Sequence, residues 1–552
     1  MRKKNKESLP EPFRLESWLI QRANSLFYLL LAVFVVFSFL YFNVKPSIAG
    51  DDSSYIIRGI NFLESGIFPT YQGPVYPLLL SLIILLAGMN LLVLKLSSLV
   101  FMVGFIIVFY RTFKEKVSYT ALFYTMAILS VSHLFLFFSS QTFSEALFLL
   151  LQAGLFYLLF KGMSLNEGGW LPSKKELAFI LLVALCCVLL FLTRTIGFGA
   201  LLATVLFFMV ERKFKRALYV TVFFVALLSA FFTLRSQIWE VPVSSGEQSS
   251  QLMSKNPYDS SEGKEDFLGF VARFKDNSNL YLSKHLMRII GFRSDSINTV
   301  KPPISFALYL LFIFGFLRFA QKNKYLYFTS VYLAIMLGIT FFSLQKIWDQ
   351  YRLIIPFVPL MLVVLVQILV DMSKVKHFVF IRKVLPVVLL LSVVLTFGKG
   401  VKSMDIPTLA KNIKGDMLAG YTPDWVSYLQ MAEYCHDNLS EQQVVACRKP
   451  NLARIYGKGK KFHGIYRIPS NDPDELIQYL KERNISHIIL GSLRKNPKQF
   501  TGQTINTIQR FMAIIFKKYP KTFKLVHKFG NQEPAYLYEI HYPDFETETN
   551  KQ

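Results

Sequence analysis

The sequence predicts a polytopic α-helical membrane protein carrying a small C-terminal soluble α/β domain. Three observations predict it. Of 552 residues, 53% are hydrophobic and 15% aromatic, with 53 Phe, which is more apolar than soluble domains are. Apolar runs recur at 26–43, 75–89, 91–112, 119–138, 141–160, 177–193, 196–210, 217–235, 303–319, 325–344, 352–371 and 382–399. Most approach the roughly 20 residues that cross a bilayer. Beyond about residue 401 charged residues rise and apolar runs shorten to strand length. The expected domains are therefore 1–400 in the membrane and 401–552 outside it.

Charge sets the expected orientation. Lys and Arg number 61 against 36 Asp and Glu, leaving +25. These cations cluster in short loops between apolar runs, which fits positive-inside topology and anionic lipid rather than nucleic acid. Placing Arg111–Lys116, Lys161–Lys175, Arg212–Arg216, Arg318–Lys324 and Lys374–Lys383 inside gives a consistent alternation from 113 to 400. The loops 44–75 and 236–302 and the tail then lie outside, as does the 139–145 turn. The start, Met1-Arg2-Lys3-Lys4, reads as a cytoplasmic N-terminus before an uncleaved first span. The 75–112 stretch must cross an odd number of times yet holds two runs, so about 11–13 true spans are expected rather than 12. The expected location is an inner (plasma) membrane.

The loop 236–302 begins Ser-rich and ends basic and aromatic. Amphipathic spacing around Phe267–Ile290 predicts helices at the membrane face. In the tail, Val444–Cys447, Lys461–Tyr466 and His487–Leu490 read as strands, with two more near 522–528 and 535–541. Pro423–Asn438, Asn451–Tyr456, Asp474–Arg483 and a stretch around 503–517 read as helices, giving a three-layer α/β domain. Cys186 and Cys187 read as packing residues, whereas Cys435 and Cys447 can pair if the tail is in an oxidising compartment. Gly457-Lys458-Gly459-Lys460 lacks P-loop spacing and reads as a basic turn. Asp472-Pro473-Asp474 with Glu475 is a helix-capping pattern rather than a metal site.

The chemistry-bearing pattern is Asp51-Asp52-Ser53-Ser54-Tyr55, just past the first span. Tyr55, Arg58 and Phe62 follow at helical spacing, and Gly73-Pro74-Val75-Tyr76-Pro77 forms a rigid entry to the next apolar run. The bland reading of the acid pair is a helix cap. The functional one is a general base at a membrane face. Glu145 opens an apolar run, where a carboxylate is costly unless paired. Arg58, Arg194, Lys346 and Arg352, then Lys284 and Arg288, are outer-side cations that can neutralise an anionic leaving group; each alone also fits a snorkelling flank.

The acid pair with this entry resembles the GT-C glycosyltransferases, especially the protein O-mannosyltransferases and the lipid A aminoarabinose transferases. Ser140-Gln141-Thr142-Phe143-Ser144-Glu145-Ala146-Leu147-Phe148 and Leu192-Thr193-Arg194-Thr195-Ile196-Gly197 resemble their stretches, the latter with Thr195 where Pro is usual. So does Asp349-Gln350-Tyr351-Arg352-Leu353-Ile354-Ile355-Pro356 with Pro359, Tyr and Arg being exchanged. The likeness covers roughly 20–400. It implies transfer of a hexosyl or pentosyl group from a polyprenyl-phosphate carrier, with inversion. It implies Asp51 as base with Asp52 second, and Tyr55, Arg58, Glu145, Arg194, Lys346, Tyr351 and Arg352 at the substrate or its phosphate. Implied partners are the lipid-linked donor, membrane lipid and a glycolipid, polysaccharide or protein acceptor. No metal or cofactor is expected. The alternative from another class is a transporter or flippase of lipid-linked glycans; inverted repeats and mid-span charges would mark it, and neither is clear here. A third reading is a catalytically silent homologue.

Overall fold

The computed structural model describes residues 14–48, 50–165, 172–241, 252–256, 262–496, 499 and 503–543. The basic N-terminal start and parts of the 236–302 loop lie outside these. The chain divides into two units. One comprises Met1–Phe42 with Arg58–Leu409, the other Asn43–Ile57 with Ala410–Gln552.

The first unit is helical, and every predicted apolar run forms a helix. In chain order these are α1 (Arg14–Gln21), α2 (Ala23–Leu40), α3 (Asp51–Ser65, shared between the units), α4 (Val75–Ala87), α5 (Leu91–Phe113), α6 (Tyr119–Val131), α7 (His133–Leu136), α8 (Ser144–Gly162), α9 (Lys174–Thr193), α10 (Phe198–Val210), α11 (Phe214–Ile238), α12 (Phe267–Leu280), α13 (Pro302–Lys322), α14 (Lys324–Ser343), α15 (Val358–Met372) and α16 (Ile381–Lys402). Among the described residues, nine helices are long and apolar enough to cross a membrane, or ten if the pair around the 67° bend at Ser132 forms one span. Two shorter apolar helices, Val75–Ala87 and Thr195–Val210, accompany them. The protein is an integral membrane protein.

Helix ends are written in side chains. Asn90 accepts from the amide of Leu92 at 3.0 Å and starts α5. Ser118 starts α6, Ser173 α9 and Asn323 α14 by the same bond. Helix α4 resolves the parity of the 75–112 stretch. Its 13 residues rise about 20 Å, against an apolar core of about 30 Å. With α4 stopping short, this stretch crosses once, in α5.

Interhelix packing in this unit brings distant polar residues together. Helix α8 lies against both α5 and α9, and α9 against α11. Gln152 on α8 donates to the Pro356 carbonyl at 2.7 Å and accepts from Tyr332 on α14 at 3.0 Å. Arg216, a residue of an expected basic loop, is instead fully buried. It donates to Glu176 at 2.9 Å and to the Leu165 carbonyl at 2.8 Å. At Gly73 the backbone has φ +95°, and an added Cβ would stand 2.5 Å from the Leu192 carbonyl oxygen. The Gly-Pro entry thus seats directly on the end of α9.

The second unit holds a five-stranded sheet of order β2-β1-β3-β5-β4. The strands are β1 (Val444–Cys447), β2 (Phe462–Gly464), β3 (Ile485–Gly491), β4 (Phe523–Phe529) and β5 (Ala535–Ile540). The first three pair in parallel, the rest antiparallel. Helices α17 (Ile406–Ile413), which straddles the division between the units, α18 (Pro423–Asn438), α19 (Pro450–Tyr456), α20 (Pro473–Lys481) and α21 (Thr507–Lys518) accompany them. Strand alternation builds two cores. Val445, Cys447, Ile489 and Leu537 face α18 and α19. Ala446, Ile488 and Ile540 face α20 and α21. Cys435 and Cys447 are free thiols, which corrects the pairing the spacing allowed. Both are buried among apolar side chains, and burial pushes each thiol up to about 12. Asp472 caps α20, accepting from the Asp474 amide at 2.9 Å. Lys458 and Gly459, both at positive φ, turn the chain after α19.

Gly73→Ala combines a disfavoured φ with a carbonyl clash, a cost of about 1–3 kcal/mol or more. The melting temperature of the solubilised protein is expected to fall by several degrees. Gly154→Ala, where an added Cβ meets nothing within 4 Å, is expected to leave it unchanged.

Candidate active site

The first turn of α8 places Glu145 where the helix dipole favours a carboxylate. Glu145 is 1% exposed. Two guanidinium groups meet it, Arg194 Nη1 at 2.6 Å and Arg352 Nε at 3.7 Å. Arg194 is the C-cap of α9, and its extended backbone (φ −150°, ψ 132°) carries it out of the helix. Arg352 sits in a single 3-10 turn, Tyr351–Leu353, with its guanidinium over the Phe143 ring at 5.2 Å. Tyr351 packs edge-on to Phe138, centroids 6.1 Å apart, and burial pushes its phenol up. One carboxylate against two guanidiniums leaves this cluster a unit of positive charge. Both arginine side chains keep 17–18% exposure, so the surplus charge is reachable.

Lys95 is a charged residue that counting apolar runs overlooks. It is fully buried on α5 and donates to Gln141 Oε1 at 3.2 Å. Ser98 donates to the Gln141 carbonyl at 2.6 Å. The signal that could have found it is a single Lys inside the run Leu91–Val100, where an ammonium needs a partner.

A second constellation joins the wide helical turn Tyr281–Leu286 to the Arg352 segment. Nearly buried Lys284 and His285 are consecutive, yet both reach Asp349, His285 Nε2 at 2.6 Å. The π-type turn permits this. Burial opposes the Asp349 charge, but its bonds from Lys284 and His285 outweigh it and hold the carboxyl below its usual range. Arg288 donates to the carbonyls of Asp295 at 2.8 Å and Ile297 at 2.6 Å, and His133 pairs with Asp295 at 3.2 Å. Thus Lys284 and Arg288 each have protein partners. Lys346 makes an exposed pair with Asp276 at 2.9 Å, of the kind worth little. Arg58 bonds the Tyr71 carbonyl and stacks on its ring at 5.6 Å, tying α3 to the turn before Gly73.

The acid pair belongs to the second unit. Asp52 is fully buried and accepts the amides of Ser47 at 2.6 Å and Ser53 at 2.8 Å. It fastens its own loop. Asp51 keeps partial exposure, and Tyr55 is buried. Ile48 packs into the core beside α18, and Tyr421 donates to the Pro46 carbonyl at 3.0 Å.

ArnT from Cupriavidus metallidurans, solved in the apo state, is similar to this chain with a TM-score of 0.55 at 12% identity, over 94% of this chain and 98% of that one. The fold is that of the GT-C glycosyltransferases. The oligosaccharyltransferase AglB from Archaeoglobus fulgidus, solved with an inhibitory peptide and a dolichol-phosphate, matches with a TM-score of 0.51 at 12% identity, over 85% of this chain and 69% of that one. No family model and no curated protein matches the sequence itself.

Burial lowers His285 from 6.5 to about 4, with Lys284 and Arg288 adding to the effect and Asp349 opposing it. As pH falls the unfolded chain takes this proton first, so stability declines between pH 6.5 and 4. The Asp349 contribution falls away only below its ordinary value of 3.8. Thermal melts across pH 7.5 to 4.5 (about the window set by these shifts) are expected to show the decline, and His285→Gln to flatten it.

Proposed function

We propose that this protein transfers a sugar from a polyprenyl-phosphate carrier to an acceptor hydroxyl or phosphate on the outer face of a plasma (inner) membrane. The observation that carries the reading is the Glu145 cluster, where a buried carboxylate holds two partly exposed arginines with charge to spare. Such a pair suits a phosphate oxygen, because each guanidinium presents planar donors. Fixing them on Glu145 removes the reorganisation they would otherwise undergo as charge develops. Tyr351 and Lys95 complete the polar set around it.

The base is Asp51. It takes the acceptor proton as the acceptor oxygen bonds to the anomeric carbon, and the carbon–oxygen bond to phosphate breaks with its electron pair going to phosphate. Attack opposite the leaving group inverts the centre. Asp52, with both oxygens held by backbone amides, positions the loop instead. Topology follows the charge rule: a cytoplasmic N-terminus, and an extracytoplasmic acid loop and C-terminal domain (401–552). The single crossing of 75–112 supports that alternation.

The test is transfer from radiolabelled polyprenyl-phosphate sugars in membranes. Asp51→Asn is expected to lower turnover about 10²–10⁴-fold, and Asp52→Asn chiefly to lower stability. Arg194→Gln and Arg352→Gln are each expected to cost about 10²-fold or more. Unchanged transfer by Asp51→Asn sinks the base assignment. Donor crossing the bilayer without covalent product points to a transporter.

A further inference from the structure

The C-terminal unit carries a basic edge close to the acid loop. Strands β1, β2 and β3 are parallel, so their carboxyl ends share one edge of the sheet. The chain leaves β1 through α19 to β2 on one side, then crosses to β3 on the other. That reversal beside β1 is where doubly wound sheets leave a crevice for ligands. Arg448 and Lys449 directly follow β1, and Tyr466 and Arg467 follow β2. The Arg448 guanidinium lies over the Tyr466 ring at 5.2 Å. Its Nε is buried without a hydrogen-bond partner, and no carboxylate pairs with it among the described residues. Lys449 Nζ donates to the Ile48 carbonyl at 3.0 Å, which brings this edge to the segment preceding Asp51. One ammonium hydrogen is so used, leaving two. Asp51 acts electrostatically on Lys449.

We propose that Arg448 and Lys449 form, beside Asp51, a subsite for a phosphate group carried by the acceptor. This rests on Asp51 being the base. In an inverting displacement the leaving phosphate departs from the face opposite the acceptor oxygen. Cations beside the base are therefore on the acceptor's side and cannot serve the donor phosphate. They select an acceptor whose reacting hydroxyl neighbours a phosphate, on a membrane glycolipid or on a soluble glycan.

The test uses the full chain in zwitterionic nanodiscs. The probes are a bisphosphorylated disaccharide glycolipid, its phosphatase-treated form, and soluble glucosamine 1-phosphate, with binding read by thermophoresis. Phosphorylated glycolipid is expected to bind more tightly than the treated form, and Arg448→Gln to erase about tenfold of that preference. Arg448→Lys is expected to restore part of it. Tighter binding of the soluble probe than of the glycolipid assigns the phosphate to a soluble glycan; the reverse assigns it to the membrane. Equal binding of treated and untreated glycolipid, or wild-type preference in Arg448→Gln, overturns the proposal. Should Arg448→Gln misfold, phenylglyoxal labelling of the unmutated chain replaces it. The phosphorylated probe is expected to protect Arg448, and no protection overturns the subsite. Asp51→Asn is expected to keep binding while losing transfer. If it keeps both while Arg448→Gln still loses the phosphate preference, the base reading fails and the subsite stands.

Discussion

A buried carboxylate is the constraint around which the membrane unit is arranged. Glu145 has no access to water, so its charge must be met by the protein or it would not persist. Meeting it draws in the end of α9 through Arg194 and the turn before α15 through Arg352. The end of α9 in turn receives the Gly73 backbone. Three chain segments far apart in sequence are thereby held at one point.

Charge surplus distinguishes this cluster from the other ion pairs. Arg216 with Glu176 is one against one, buried and completed by backbone carbonyls, as a structural joint should be. Lys284 and His285 on Asp349 also balance, since burial keeps the imidazole neutral. Around Glu145 the balance is not closed, and the remaining charge stays in reach. The same asymmetry recurs in the C-terminal unit, where Arg448 stands over an aromatic ring rather than on a carboxylate.

Much of the fold was legible because it depends on local pattern. Runs of apolar residues became helices wherever they were long enough, and the alternation of Val444–Cys447 placed its side chains on two cores. Glu145, Arg194 and Arg352 were legible one by one, because a charge beside an apolar run demands a reason. Their meeting was not, since it depends on how α8, α9 and the Tyr351 turn pack. Lys95 was hidden inside a hydrophobic stretch, its partner Gln141 being a residue with no charge to announce it. The attachment of residues 43–57 to the C-terminal unit was equally invisible. It rests on single bonds such as Lys449 to Ile48, which leave no periodic trace.

Helix α8 carries Glu145 and, about two turns on, Gln152 along the same face. The first reaches Arg352 and the second the Pro356 carbonyl. The helix therefore acts as a ruler laid against the chain that enters α15. Side chains between the two marks are free to vary in kind, but the interval is not free to vary in length. One inserted residue would turn Gln152 by about 100° away from its carbonyl. Chains descended from this one should keep that interval even where little else of the helix is shared.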